Sequence, residues 1–304
     1  MPKVDKYLFG SFGKGNDMCV IAALSLLDQA PYADIRVTLD RPGAKAWGPA
    51  LAANGVEVEA WTPGDPTPDR VAELIAAKGL PPLPEPASED FYADSASLNS
   101  ACVAYFQLRM LQLYIRGGAR LDADTLTFWD PGGWLEPRSL AGFSVAAYSR
   151  SQACCGIVSC RRRHPLLLDW YRRRARRLDM SEEPFFNARL KRWRHRWPIR
   201  FLHFTMPTIF DVRDRSAPRG RRRVVRPDTM WDPSTRLGAP VLHYAHSGRD
   251  SRVPGSPPYR FMTVRDVLDF PLDGAGSGNM VVRRARQVAE RFDLASWLTP
   301  RDGA

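Results

Sequence analysis

The sequence predicts an α/β fold with a mainly parallel central sheet and helices on both faces. Three observations predict it. Segments patterned as strands and helices alternate three times over residues 6–78. Glycine-containing stops close the helices. A Gly-Gly turn then leads from a long helix into a short apolar strand that ends on an aspartate. Strands separated by helices need crossovers, and crossovers make parallel sheets covered on both sides.

Lys6 to Phe12 reads as the first strand and runs into the turn Gly13-Lys14-Gly15. The next helix takes Asn16 or Asp17 as its cap and carries Val20, Ala23, Leu24 and Leu27 on one face. Asp34 to Leu39 alternates apolar and polar residues, the period of a strand. Ala44 to Ala53 is helical and stops at Asn54-Gly55, Val56 to Trp61 is a strand, and Asp69 to Lys78 is a helix closed by Gly79. After the proline-rich connector Pro81 to Pro86, a helix spans about Ser97 to Arg116 and ends at Gly117-Gly118. Ala119 to Leu121 is a short strand with Asp122 at its carboxyl end. Strands follow at Ser144 to Tyr148, Cys155 to Ser159 and Val241 to Ala245. Helices are expected from His164-Pro165, over Glu182 to Arg194 and over Asn279 to Trp297, with an arginine-rich loop at Arg213 to Arg226.

The 304 residues, 44% of them apolar, suffice for one large domain or two small ones. A division at 1–140 and 141–304 is expected within one continuous domain. There is no apolar run of about 18 residues and no signal-peptide core near Met1, so a cytoplasmic protein without a membrane span is expected. The five cysteines include no C-x-x-C; Cys154, Cys155 and Cys160 near His164 leave a zinc site open, with reduced thiols as the plainer reading. Charge divides sharply. Residues 1–140 hold 12 basic and 18 acidic side chains, and 141–304 hold 32 and 15, so the second half is expected to meet an anion.

The chemistry centres on Asp122-Ala123-Asp124. A D-x-D arises by chance in a chain with this many aspartates, and a solvated strand-end turn is the plain alternative. The context is more specific: Arg109 to Asp124 follows R-x3-L-x3-G-G-x3-D-x-D. This run resembles the DXD sugar-binding region of the initiating mannosyltransferases, α-1,4-galactosyltransferases and clostridial glucosylating toxins, which are retaining glycosyltransferases of the GT-A fold. Cys155 to Leu167, with His164-Pro165, resembles the strand and helix that follow the DXD there. Leu121 to Leu126, Glu182 to Asn187 and His243-Tyr244 are similar to stretches of glycogenin-like enzymes. Four places depart from the pattern. Phe106 stands where an acid is common, Glu182 replaces an aspartate, Cys154-Cys155 precede Gly156 where an asparagine is usual, and no tryptophan follows His243 closely.

The resemblance implies a UDP- or GDP-sugar donor and Mn²⁺ or Mg²⁺. A bound divalent cation neutralises the charge that the leaving diphosphate gains. Asp124 would bind the metal directly, Asp122 through water or on the ribose, and His243 as a third ligand. Arg109 would approach the donor phosphates or sugar. Glu182, Glu183 and Asn187 would lie near the anomeric carbon. The plain alternatives are a core histidine at His243, dipole-complementing acids at Glu182 and Glu183, and a helix ion pair at Arg109. Arg172, Arg173, Arg192, Arg194, Arg221 and Arg222 are the candidate acceptor contacts, belonging to basic runs interleaved with Trp193 and Trp197. A polyanionic acceptor is expected, with a hydroxylated base in DNA, an anionic lipid or an acidic glycan as candidates. Glycosylation of a glycan, lipid or natural product, or nucleic-acid binding by a degenerate transferase fold, stands as the alternative. Oligomeric state is open.

Overall fold

A computed structural model describes residues 3–85, 95–136, 142–149, 152–174, 200–203, 240–243, 262–270 and 280–298. The opening alternation becomes β1 (Lys6–Ser11), α1 (Asn16–Gln29), β2 (Asp34–Leu39), α2 (Arg41–Ala53), β3 (Glu57–Ala60) and α3 (Asp69–Lys78). α4 (Ser95–Arg116) returns the chain to β4 (Gly118–Leu121). There follow β5 (Thr125–Thr127), α5 (Gly132–Leu135), β6 (Phe143–Ser149), β7 (Gln152–Cys160) and α6 (Pro165–Arg174). β8 (Arg200–His203), β9 (Val241–His243), α7 (Val264–Asp269), α8 (Met280–Arg291) and 3₁₀ turns at Gly13–Gly15 and Leu294–Trp297 complete the described elements. The helix expected over 182–194 and the loop expected over 213–226 lie outside the described residues.

Seven strands form the main sheet in the order β3-β2-β1-β4-β7-β6-β8. β3, β2, β1 and β4 are parallel, β7 is antiparallel to both neighbours, and β8 is parallel to β6. The sheet is therefore mainly parallel with one reversed strand. From β1 the chain first builds outward through β2 and β3, then crosses to place β4 on the other side of β1. Strand order reverses there, so the carboxyl ends of β1 and β4 flank the crevice where open α/β sheets bind ligands. β5 and β9 form a separate two-stranded ribbon.

Period-two alternation sends side chains to two cores. Tyr7, Phe9, Ile35, Val37, Ala119, Leu121 and Ile157 pack with α1, α2, α7 and α8. Leu8, Phe143, Val145, Val158 and Cys160 face α3, α4 and α6 on the opposite side. Leu167, Leu168 and Tyr171 of α6 point inward, and Arg172 and Arg173 point to solvent, as the sequence predicts.

Local chemistry moves two helix starts. α1 takes Gly15 as its N-cap, without a side-chain cap. The expected caps are used elsewhere: Asn16 donates to Asp40, and Asp17 accepts from Trp47 Nε1 and from Val264 N. α2 begins at Arg41, not Ala44, because Asp40 accepts from Gly43 N and Pro42 suits the first turn. Two glycines are dictated by space. Gly117 ends α4 at φ +72, and a Cβ there would meet the Arg162 backbone at 2.7 Å. Gly118, at φ +98, would put a Cβ 2.2 Å from the Lys6 carbonyl oxygen, so no other residue lets β4 start so close to β1.

Candidate metal centre

β4 stops where its alternation brings Asp122 to the α4 side of the sheet. The Asp122 amide still donates to Gly156 O at 2.8 Å, so the turn remains pinned to β7. Thr125 Oγ1 donates to Asp122 O at 2.7 Å and closes the Asp122-Ala123-Asp124 turn. The chain then enters β5, whose antiparallel register sets Thr125 opposite His243 of β9. That pairing delivers His243 to the residue after Asp124. Its Nε2 lies 3.0 Å from Asp124 Oδ1, and the ring is 8% exposed. Asp122, Asp124 and His243 each offer a ligand atom, all within 4.8 Å of one another.

Two carboxylates and an imidazole form a donor set for a hard or borderline divalent cation. The spacing suits one as well. Two ligands about 2.1 Å from a cation at right angles stand about 3 Å apart, which is the Asp124–His243 separation. Cys19 lies beneath the cluster on α1 and is fully buried. Burial pushes its thiol up to about 12, although Arg109 opposes this.

Arg109 is placed at this site but under it. It is 4% exposed. Its guanidinium donates to Leu121 O at 2.7 Å, to Gly10 O at 3.3 Å and to Asp122 Oδ1 at 3.4 Å. It thus ties together the carboxyl ends of β1 and β4 and holds Asp122. Gly10 permits the approach, since a Cβ there would stand 3.0–3.2 Å from Tyr105, the Thr38 carbonyl and Arg109 itself. Burial, and then the charge of Arg120, lower the pKa of Arg109, against the pull of Asp122; a guanidinium remains charged regardless.

Arg120 is the site residue that motif reading overlooks. It is fully buried, and its Nη2 donates to the same Asp122 Oδ1 at 3.0 Å. The alternation Arg120-Leu121-Asp122 was the available signal, because residues i and i+2 of a strand share a face.

Solved structures similar to the chain are glycosyltransferases at low identity. PaToxG glycosyltransferase matches at 14% identity over 64% of each chain, with a TM-score of 0.39. An active-site mutant of LgtC matches at 14% identity over 84% of this chain and 93% of that one, TM-score 0.45. The galactosyltransferase LgtC, in complex with donor and acceptor sugar analogs, matches at 12% identity over 64% and 72%, TM-score 0.38. The chain spans 64% of the length of the first of these. No protein-family model and no curated protein sequence matches it. With TM-scores below 0.5, the functional reading rests on the cluster and not on these likenesses.

The remaining candidates fall in two groups. Arg172 and Arg173 are exposed on α6, which packs against α4; Arg172 donates weakly to Lys78 O and Arg173 pairs with Asp169 one turn away. Glu182, Glu183, Asn187, Arg192, Arg194, Arg221 and Arg222 lie outside the described residues. The triplet Arg161-Arg162-Arg163 follows β7, where Cys160 pairs with Gly118 at the start of β4. Asp122 follows the other end of β4, so this triplet stands at the opposite end of that strand from the cluster.

Gly156 sets the pose of His243. A Cβ at Gly156 would lie 2.8 Å from His243 Cε1 and 3.0 Å from both ring nitrogens. Gly156→Ala is therefore expected to displace the imidazole and weaken Mn²⁺ binding by about 10- to 100-fold, the usual range for losing a partner that orients a ligand. Mn²⁺ titration monitored by electron paramagnetic resonance reads this directly, and wild-type affinity in the variant would show that the ring is not a ligand.

Proposed function

We propose that the chain is a metal-dependent glycosyltransferase that moves a sugar from a UDP- or GDP-sugar to an anionic acceptor. The observation that carries this reading is the Asp122–Asp124–His243 cluster at the carboxyl end of β4, beside the β1–β4 switch point. The spacing from Arg109 to Asp124 supports a sugar nucleotide as the ligand, by its resemblance to DXD glycosyltransferases. Its fixed residues also have physical roles. Arg109 holds Asp122, Gly117 turns the helix end, and Gly118 admits β4 against β1.

When bound, Mn²⁺ or Mg²⁺ would supply charge neutralisation for the departing diphosphate. Asp124 and His243 would hold it. Asp122, with one oxygen engaged by Arg109 and Arg120, would offer the other to a metal-bound water or to the ribose. In this reading transfer proceeds with retention, and Glu182, Glu183 and Asn187 line the sugar. The basic excess of residues 141–304 favours a polyanionic acceptor, and a hydroxylated DNA base is the one with the sharpest test. A base within duplex DNA would have to be flipped out for transfer. Among the described residues no helix is long and apolar enough to cross a membrane.

Hydrolysis of a panel of UDP- and GDP-sugars with Mn²⁺ tests the donor. Turnover above background with at least one donor is expected, and background rates with all of them contradict the proposal. For the acceptor, DNA affinity is expected to fall steeply between about 50 and 200 mM salt, by 10³-fold or more if six phosphates are contacted. A flat salt dependence would exclude nucleic acid. DNA binding without any donor turnover would favour the nucleic-acid-binding alternative.

A further inference from the structure

Asp122 shares one oxygen between two guanidiniums, and neither can turn to water. Arg120 has a fully buried side chain with Nη2 3.0 Å from Asp122 Oδ1; Arg109, 5% exposed, has Nη1 3.4 Å from the same atom. Phe106 closes over Arg120, its ring centroid 4.5 Å from the guanidinium carbon and 6.0 Å from that of Arg109. An aromatic ring attracts a cation but does not neutralise it. Two buried positive charges thus stand against Asp122, one of the two carboxylates of the cluster, and a metal-binding imidazole is neutral. These four ionised groups already balance before a divalent cation arrives. Buried charges are screened far less than exposed ones, so the two arginines offset the attraction of the carboxylates for an incoming dication. A diphosphate carries the negative charge needed to offset it.

We propose that Arg120 is a positioning residue that makes metal retention depend on the nucleotide. Together with Arg109 it holds the resting charge of the cluster at balance, so a divalent cation is kept with a nucleoside diphosphate group and released without one. The coupling is reciprocal: the metal raises nucleotide affinity by the factor by which the nucleotide raises metal affinity. Phe106 belongs to the device, because an acid at that position would face Arg120 and cancel it. This inference rests on the proposed metal and donor site, and its test separates the two.

Mn²⁺ binding to the full chain is measured by electron paramagnetic resonance, alone and with saturating UDP or GDP, with circular dichroism as the check on folding. Wild type is expected to bind Mn²⁺ at least tenfold more tightly with one of the two nucleotides than alone. Arg120→Met is expected to raise affinity for Mn²⁺ alone at least tenfold and to narrow that gap. Phe106→Asp reaches the same charge with Arg120 in place and is expected to do likewise, which covers the case in which Arg120→Met does not fold. Equal wild-type affinity with and without nucleotide overturns the inference. So does Mn²⁺ binding that is lost in Asp124→Ala yet unchanged in Arg120→Met and Phe106→Asp, an outcome that leaves the proposed function standing. Mn²⁺ binding indifferent to Asp124→Ala, or none in any form, overturns the proposed function and this inference together.

Discussion

Asp124→Ala is expected to lower donor hydrolysis by about 100-fold or more with little change in melting temperature. Asp124 is the carboxylate nearest His243, and its side chain is 18% exposed. Removing it takes away a direct metal ligand, and with it a share of the several kcal/mol by which a Lewis-acid cation stabilises a departing anion. About 3 kcal/mol of transition-state stabilisation corresponds to roughly 100-fold in rate. The stability cost should be small, because the residue lies in a turn that Thr125 Oγ1 and Gly156 O hold independently through Asp122. Initial rates with Mn²⁺ and the best donor decide the matter. Equal turnover in wild type and variant would remove Asp124 from the chemistry.

Asp28→Ala is expected to destabilise the fold by about 3–5 kcal/mol, the cost of leaving a buried charge without its partner. Asp28, 3% exposed, accepts from Arg284 Nη2 at 2.7 Å and also meets Arg291. Arg291 is 65% exposed and contributes little, whereas Arg284 is buried. Arg284 also donates to Thr127 O at 2.9 Å and to Ser25 O at 3.3 Å. One guanidinium therefore fastens α8 to α1 and to β5. Since β5 pairs with β9, the same clamp supports the strand that carries His243. Chemical denaturation should show the full loss, and Mn²⁺ affinity should weaken with it. Asp28→Leu combined with Arg284→Met should recover most of the stability, because replacing both members of a buried pair leaves no orphaned charge. A loss below about 1 kcal/mol in Asp28→Ala would mean that the clamp is not what holds α8.

Much of the frame was legible because its signals are local. The alternation over residues 6–78 and the stops at Asn54-Gly55 and Gly79 lie within a few residues of what they determine. Asp122 and Asp124 were legible for the same reason, since a strand end and a Gly-Gly turn sit beside them. β5 was missed: three residues, Thr125 to Thr127, are too few to show a period, and their partner is more than 110 positions away. β8, α5 and α7 were missed because they are equally brief. Arg120 was missed for a different reason. Read as one of the variable places in the motif, it looks like any strand arginine. Only the sheet reveals that its face is closed by Phe106 and Met110. The link between Gly156 and His243 is tertiary too, since nothing in Cys154-Cys155-Gly156 announces an imidazole resting on the glycine. The charge asymmetry was plain in the sequence, but its meaning is narrower in the fold. The triplet Arg161-Arg162-Arg163 follows the strand end that pairs with the start of β4, away from Asp122 and Asp124.

In the proposed function, Asp122, Asp124 and His243 hold the divalent cation of a sugar-nucleotide site. This role is tested most directly by a crystal of the full chain grown with Mn²⁺ and UDP or GDP, with data collected for the anomalous signal of manganese. One peak is expected about 2.1 Å from both a carboxylate oxygen of Asp124 and His243 Nε2, with the nucleotide diphosphate on its far side. A bound nucleotide with the manganese peak elsewhere, or with no peak at this cluster, would contradict it.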